Sequence, residues 1–241
     1  YTETKSSAAS DVYKRQLSNR LTRGWMHGSA IAILIGLFLA YIGGVATGGK
    51  RGIADLDCLA GIGLMGGAML RDFAIVATAF GVRLDEFRKT GIRGIISLLV
   101  GVLASFFIGA VIAYGFGYRD AVSMTTIGGG AATYIVGPVT GTALGASSEV
   151  IALSVAAGLV KSMLVMIMTP VVANRIGLNN SRSALIFGGL MGTTSGVAGG
   201  LAATDEKLVP YGAMTATFYT GLGCLLGPSV VFIIIRALVG E

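Results

Sequence analysis

Long apolar runs separated by short charged islands set the pattern of this chain. Each run has about 20 residues or more, the length that an α-helix needs to cross the hydrocarbon core of a bilayer. Their apolar residues are continuous and do not form the stripe of an amphipathic helix, which is typical of bilayer-spanning segments. The pattern therefore predicts an all-α integral membrane protein, a polytopic helical bundle. The runs lie at about 27–46, 58–82, 94–116, 150–173, 183–203 and 211–235.

Residues 121–145 differ from these runs because they are rich in glycine and threonine and only weakly hydrophobic. Cytoplasmic loops carry an excess of Lys and Arg, so we place the basic island at 83–93 in the cytoplasm. The run at 94–116 then leads outward. A full crossing at 121–145 would place the next basic residues, Arg175 and Arg182, outside, whereas a segment that dips in and returns would keep them inside. The charge pattern favours a re-entrant segment.

The first 16 residues do not match the rest of the chain. They are polar, contain no apolar run and do not begin with methionine. The string SSAASDVYKRQ resembles translated adapter sequence at the end of an assembled fragment. We therefore expect 1–16 to be a non-native scar and 17–241 to form a single polytopic transmembrane transport domain. The native start, which could include one more transmembrane helix, would then be missing.

Composition supports the membrane prediction. Hydrophobic residues make up 54% of the chain and charged residues 12%, against roughly a quarter charged in ordinary soluble domains. Many of the 38 glycines lie inside the apolar runs, where small residues allow close helix packing and breaks beside a cavity. The net charge of +6 comes mostly from loop residues, so it indicates membrane orientation and no nucleic-acid partner.

Lys161 lies near the middle of the apolar run at 150–173, about 16 Å from either end at the helical rise of roughly 1.5 Å per residue. That distance is too long for its side chain to reach the interface comfortably. A cation at this depth costs at least about 2.5–3.5 kcal/mol, so it should face a polar cavity or a carboxylate. The alternatives are a functional cation and a structural ion pair within the bundle.

Arg71 and Asp72 interrupt the second apolar run. The apolar piece before them is about 13 residues long, too short to span a bilayer alone. Either the pair lies within the membrane or two half-helices meet there. Adjacent helical residues do not face one another, so each residue would need another partner. The alternative is an interfacial position in which both groups are solvated.

Two stretches, 125–133 and 193–204, open with a Thr pair and continue into glycines. Paired Gly-rich interruptions are typical of the broken helices of secondary transporters. Helix N-termini exposed there would suit a carboxylate, and freed carbonyls with Thr hydroxyls would suit sodium. Close helix packing through small residues is the alternative. We predict substrate contacts from Lys161, Arg71, Thr125, Thr126, Thr193 and Thr194, and ion contacts from Asp72, Thr133 and Ser195.

Catalytic chemistry is poorly supported by the sequence. His27 is the one histidine and lies at the edge of an apolar run, which fits an interfacial residue better than a general base. The sequence has no Cys/His cluster with metal-ligand spacing and no GxxxxGK[ST] nucleotide-binding loop. We expect no enzyme activity and no cofactor, with any uphill transport driven by an ion gradient or a partner.

Long stretches of the chain resemble one transporter family. They include GIGLMGGAMLRDFAIVATAFGV, FGYRDAVSMTTIGGGAATYIVGPVTGTALGASSEVIALS and RSALIFGGLMGTTSGVAGGLAATDEKLVPYGAMTATFYTGLGCLLGPS, and the likeness extends from about residue 17 to 240. In these runs the chain is similar to the malonate transporter MadM subunit. The resemblance implies sodium-coupled uptake of malonate, a small dicarboxylate, across a bacterial inner membrane together with a smaller membrane subunit of the MadL type.

Two other function classes remain open on the sequence. The first is the membrane subunit of a sodium-translocating decarboxylase pump, which would also carry broken helices and intramembrane charges. The second is a passive channel or holin-like protein. Within the symporter hypothesis, Lys161 and Arg71 supply positive charge for the malonate carboxylates, and the Thr/Gly breaks hold substrate and sodium near mid-membrane.

Overall fold

The structure is a computed structural model that describes residues 13, 16, 20–23, 28–49, 56–61 and 84–241. The chain divides into two compact units, 1–81 and 82–241. All regular secondary structure of the described residues is helical. This confirms the prediction of an all-α membrane protein.

The first unit contains helix α1, Gly28–Thr47, which confirms the helix predicted at 27–46. It carries no acidic or basic residue. Large apolar side chains such as Phe38 and Tyr41 are 63% and 71% exposed, as expected of a surface that meets lipid. A short 3₁₀ turn follows at Asp57–Leu59. Most of the predicted run at 58–82, with Arg71 and Asp72, lies outside the described residues.

The second unit contains three helical segments long and apolar enough to cross a membrane: Gly91–Gly115, Ser148–Val172 and Glu206–Val239. The last of these joins a 3₁₀ turn, two α-helices and a five-residue π-helical turn between them. The α-helices of the unit are α2 Leu84–Gly115, α3 Ala121–Ala132, α4 Val136–Leu144, α5 Ser148–Val172, α6 Ser181–Met191, α7 Thr194–Ala202, α8 Val209–Leu226 and α9 Phe232–Val239, and the π turn is Gly227–Val231.

Helices α3 and α4 form a first hairpin. Asp120 caps α3 by accepting the Ser123 N–H at 2.7 Å. The two helices run antiparallel, because a Cβ on Gly141 would lie 2.7 Å from Thr126 Cγ2, and one on Gly129 would lie 3.2 Å from Gly137 Cα. Helices of 12 and 9 residues are too short to cross a bilayer core of about 30 Å. The hairpin geometry supports the re-entrant segment predicted at 121–145.

Helices α6 and α7 form a second hairpin, so the single span predicted at 183–203 was wrong. Asn180 opens α6 with a capping box, and Gly192 ends it at a φ of 75°, a left-handed conformation that glycine adopts without strain. The open ends of the hairpin meet at Gly212 of α8, which packs against both Ala184 in α6 and Leu201 in α7. The prediction failed because apolar composition does not show where a backbone reverses.

The two hairpins pack on α5 from opposite ends. The first hairpin lies along the N-terminal half of α5, with Gly141 beside Ile151 and the tip residue Tyr134 against Gly158. The second lies along the C-terminal half, where three glycines of α7 pack in parallel register on α5. Both tips therefore reach the middle of α5. The α7–α5 pairs are Gly196 on Ser162, Gly199 on Met166 and Gly200 on Thr169.

Candidate functional site at the hairpin tips

Lys161 lies where the first hairpin tip meets α2, α5 and α8. Its ammonium Nζ donates to the Ser105 hydroxyl at 3.0 Å, to the carbonyl oxygen of Ala132 at 2.9 Å and to the Tyr219 hydroxyl at 3.5 Å. Ala132 is the last residue of α3, so its carbonyl belongs to the negative end of that helix dipole. The side chain of Lys161 is partly buried.

Within the part of the chain that the structure describes, the Lys161 ammonium has neutral hydrogen-bond acceptors. An ammonium has three N–H donors, and a hydroxyl, a carbonyl and a phenol accept them here. Within residues 91–241, no carboxylate bonds to Lys161. The described part of the chain therefore does not supply the structural ion pair that the sequence left open. A partly buried ammonium whose acceptors among the described residues are all neutral is a candidate for binding an anion.

Tyr219 of α8 links Lys161 to the second hairpin. It is fully buried, and its hydroxyl donates to the Gly101 carbonyl of α2 at 3.0 Å. The Lys161 ammonium lies 5.3 Å from the centre of its ring, within the range of a cation–π contact. Gly192, the turn residue of the second hairpin, packs directly on the same ring. One aromatic side chain thus contacts the cation and the tip of the second hairpin.

The second tip carries several hydroxyls. Thr193 precedes α7 and is fully buried, yet its side chain does not cap the helix. Ser195, two residues further, shares a 2.9 Å hydrogen bond with Ser162 of α5. The first N–H groups of an α-helix have no partner within the helix and carry its positive dipole end. The site at the hairpin tips therefore combines one ammonium, one helix N-terminus and the hydroxyls of five residues: Ser105, Tyr219, Thr193, Ser195 and Ser162.

A model of the malonate/sodium symporter MadM subunit family matches residues 9–239, nearly the whole chain. The chain belongs to this family. MadM proteins are membrane transporter subunits, which agrees with the apolar helices of the second unit. Comparison with curated proteins and with solved structures finds no match.

Thr125 and Thr126, the Thr pair that opens the stretch at 125–133, lie inside the first hairpin. Thr125 and Thr126 are fully buried, and their hydroxyls donate to the Ala121 and Val122 carbonyls at 2.7 Å, one turn back in α3. Thr133 lies at the tip, where its hydroxyl accepts the Ile135 and Val136 N–H groups at 3.2 and 3.1 Å. Thr133 therefore stabilises the turn into α4.

The other predicted residues fall into two groups. The structure brings Lys161, Thr193, Thr194 and Ser195 to the middle of α5 or to the facing tip of the second hairpin. Thr194 starts α7 and is partly buried. Arg71 and Asp72 lie outside the described residues, so their place relative to this site stays a prediction.

Three polar contacts of the site were missed from the sequence: Ser105, Ser162 and Tyr219. Ser105 and Tyr219 lie 56 and 58 residues from Lys161 along the chain, and neither is marked in the sequence by a neighbouring charge. Ser162 directly follows Lys161 and was the one with a sequence signal, since a hydroxyl beside an intramembrane charge belongs to the same helix turn.

Proposed function

We propose that this chain is one subunit of a sodium-coupled malonate symporter, and that this subunit binds the substrate. The family supports malonate and sodium as the transported pair. The direction is uptake, the location is the bacterial inner membrane, and a smaller MadL-type membrane subunit is the partner. The observation that carries the proposal is the Lys161 ammonium at the meeting point of two opposed hairpins, with neutral groups as its acceptors.

The proposed site suits a dianion with two carboxylates. One carboxylate would pair with Lys161, replacing weaker neutral acceptors by a charge-assisted hydrogen bond. The other would meet the N-terminus of α7, where Thr193 and Thr194 add hydroxyl donors to the free backbone N–H groups. A doubly charged substrate leaves one negative charge after pairing with Lys161, which a sodium ion would neutralise.

The opposed hairpins support alternating access. The first hairpin extends from the end of the unit at Arg119, and the second from the end at Arg175. Movement of either hairpin tip would expose the middle of α5 to one side of the membrane only. Binding at the midplane between discontinuous helices is common in secondary transporters.

The test is uptake of labelled malonate by cells that express this protein with its small partner, with and without sodium. Wild type should accumulate malonate only with sodium. Lys161→Gln and Lys161→Met should lower uptake to the level of empty cells, with normal protein in the membrane. Lys207→Gln is the matched control, because Lys207 is exposed in a surface turn, and it should transport like wild type.

Two outcomes would contradict the symporter proposal. Sodium movement that requires a soluble decarboxylase, without malonate uptake, would identify a decarboxylase-linked pump. Equilibration of malonate without accumulation above the external concentration under a sodium gradient would identify a passive channel. Proteoliposomes with an imposed sodium gradient separate these cases, because no soluble enzyme is present in them.

A further inference from the structure

An apolar groove of about 630 Å³ lies between α5 and α6. Two hydroxyl side chains line it, and both are satisfied within the chain. Thr169 donates to the Val165 carbonyl one turn back in α5. Ser183 donates to the Asn180 carbonyl at the start of α6. The rest of the lining is apolar, so the groove accepts an apolar chain without leaving a buried side-chain polar group unpaired.

Buried side chains form the floor of the groove, and exposed side chains form its rims. Leu178 and Phe187 are 4% and 8% exposed. Met168 of α5 and Leu190 of α6 are 47% and 38% exposed, as expected of rims that meet lipid. A concave apolar surface lacks contact partners while it is empty, so an acyl chain that fills it gains dispersion contacts.

The length of the groove matches one leaflet of a bilayer. Its lining runs over 164–172 of α5 and 183–191 of α6, about 12 Å on each helix at roughly 1.5 Å per residue. Half of a bilayer core is about 15 Å. One end of the groove lies at the loop 173–180, and the other lies at the tip of the second hairpin, beside the middle of α5. A transmembrane helix of about 20 residues would fill the groove with only half of its length.

Two arginines lie at the loop end of the groove. Arg175 and Arg182 each directly precede a residue that lines it, and both are exposed. Asp205 and Glu206, in the turn before α8, do not line it. Guanidinium groups form paired, charge-assisted hydrogen bonds with phosphate oxygens, and basic pockets between transmembrane helices are typical sites for anionic lipid headgroups. The mouth of the groove therefore suits a phosphate.

We propose that this groove binds an anionic phospholipid, with one acyl chain between α5 and α6 and the phosphate on Arg175 and Arg182. The apolar walls, the length of one leaflet and the positive charge at the mouth each match one part of such a lipid. Because α6 is the first arm of the second hairpin, the bound chain would stabilise that hairpin. The inference rests on the membrane location of the chain and does not depend on malonate binding.

The test measures thermal unfolding of the purified protein in a neutral detergent without malonate. Phosphatidylglycerol and phosphatidylcholine with the same acyl chains are titrated in parallel. Saturating phosphatidylglycerol should raise the Tm by about 5 °C through binding to the folded state. Its half-saturating concentration should be at least about tenfold lower than that of phosphatidylcholine, because only phosphatidylglycerol carries a net negative charge. Glycerol 3-phosphate, which has no acyl chain, should leave the Tm unchanged.

Substitutions at the mouth and on the rims separate the two parts of the site. Arg175→Gln combined with Arg182→Gln should raise the half-saturating concentration of phosphatidylglycerol to that of phosphatidylcholine. Met168→Trp should occupy the groove and raise the half-saturating concentration of both lipids at least about tenfold. Leu190→Trp on the opposite rim should do the same, which covers the case that Met168→Trp does not fold.

Two control variants make the result specific. Arg236→Gln removes an exposed arginine of α9 that does not border the groove. Val160→Trp enlarges a side chain of α5 that is 51% exposed and does not line the groove. Both variants should respond to the two lipids like wild type.

Several outcomes would overturn the proposal. They are equal half-saturating concentrations of the two lipids in wild type, an unchanged preference in the arginine double variant, and an unchanged lipid response in both tryptophan variants. Loss of the lipid response when the small membrane partner is added would also overturn it, because a helix of that subunit would then occupy the groove. None of these results depends on malonate uptake, so the lipid site and the proposed function fail separately.

Discussion

At the residue scale, the site depends on how a single lysine is held in an apolar helix. Ser105, Ala132 and Tyr219 come from three different helices and fix the ammonium in one place. Tyr219 also contacts the second hairpin, through Gly192. We therefore expect this tyrosine to position Lys161 and to align the tip beside it.

Tyr219→Phe tests that positioning role. The substitution keeps the ring under Gly192 but removes the hydroxyl that donates to the Gly101 carbonyl and accepts from Lys161. The loss of a buried hydrogen bond costs about 0.5–1.5 kcal/mol, so the Tm should fall. The apparent KM for malonate should rise about tenfold, because Lys161 gains freedom to leave its position. Thermal unfolding and uptake kinetics measure the two effects.

The matched control is Thr217→Val in the same helix, whose hydroxyl bonds to the Ala213 carbonyl one turn back. It should change the KM less than about twofold. An unchanged KM in Tyr219→Phe, with the protein folded, would show that the tyrosine hydroxyl has no part in binding.

The sequence predicts Lys161 because a charge within an apolar run stands out by its cost. It does not predict Tyr219 or Ser105, because tyrosine and serine are tolerated at many depths of a membrane helix. Their role comes from contacts with residues more than 50 positions away, which depend on how the hairpins fold back. Thr133 was predicted as an ion contact, but its observed hydrogen bonds, from the Ile135 and Val136 N–H groups, stabilise the turn into α4.

At the element scale, glycines determine how closely the hairpins approach α5. A Cβ on Gly130 would overlap the Ser154 backbone, and one on Gly158 would overlap the backbone of Tyr134. Backbone atoms cannot rotate away as a side chain can. The high glycine content thus marks helix–helix contacts at defined positions, as small residues do in many membrane bundles.

Gly130→Ala should therefore destabilise the protein by about 1–3 kcal/mol through overpacking and displace the first hairpin from α5. Gly221→Ala is the control, since it lies within α8 and a Cβ there meets nothing within 4 Å. It should be neutral or slightly stabilising, because alanine favours the helix more than glycine does. Equal Tm values for the two variants would show that the close contact at Gly130 does not matter.

The existence of the long helices followed from the apolar runs alone, because bilayer thickness fixes their length. The sequence predicted the first hairpin better than the second. The weak hydropathy of 121–145 favoured a re-entrant segment, and α3 and α4 form a hairpin there. The Thr/Gly stretch at 193–204 indicated an interruption, but the sequence did not show that the chain reverses there; the left-handed turn at Gly192 reveals the second hairpin.

At the scale of the second unit as a whole, the two hairpins predict which of their flanking residues lie on the same side of the membrane. Arg119 and Ser148 flank the first hairpin, and Asn179 and Lys207 flank the second. Because each hairpin returns to its starting side and α5 crosses between them, the two pairs should lie on opposite sides. The basic residues near the second pair predict that this pair faces the cytoplasm.

Single cysteines at these four exposed positions test the arrangement. In a background with Cys58 and Cys224 replaced by serine, a membrane-impermeant thiol reagent should label Arg119→Cys and Ser148→Cys in intact cells. It should label Asn179→Cys and Lys207→Cys only after the cells are opened. Labelling of Arg119→Cys and Ser148→Cys from different sides would mean that 121–145 crosses the membrane.

The most direct measurement is malonate affinity of the purified protein in sodium, by calorimetry, for wild type and for Lys161→Gln. We predict that the variant loses at least about 30-fold in affinity, because truncating a buried charge partner costs about 2 kcal/mol or more. Wild type should bind acetate far more weakly than malonate, since acetate fills only one of the two anion positions. If folded Lys161→Gln binds malonate as tightly as wild type, Lys161 is not the substrate's partner and the proposed site is wrong.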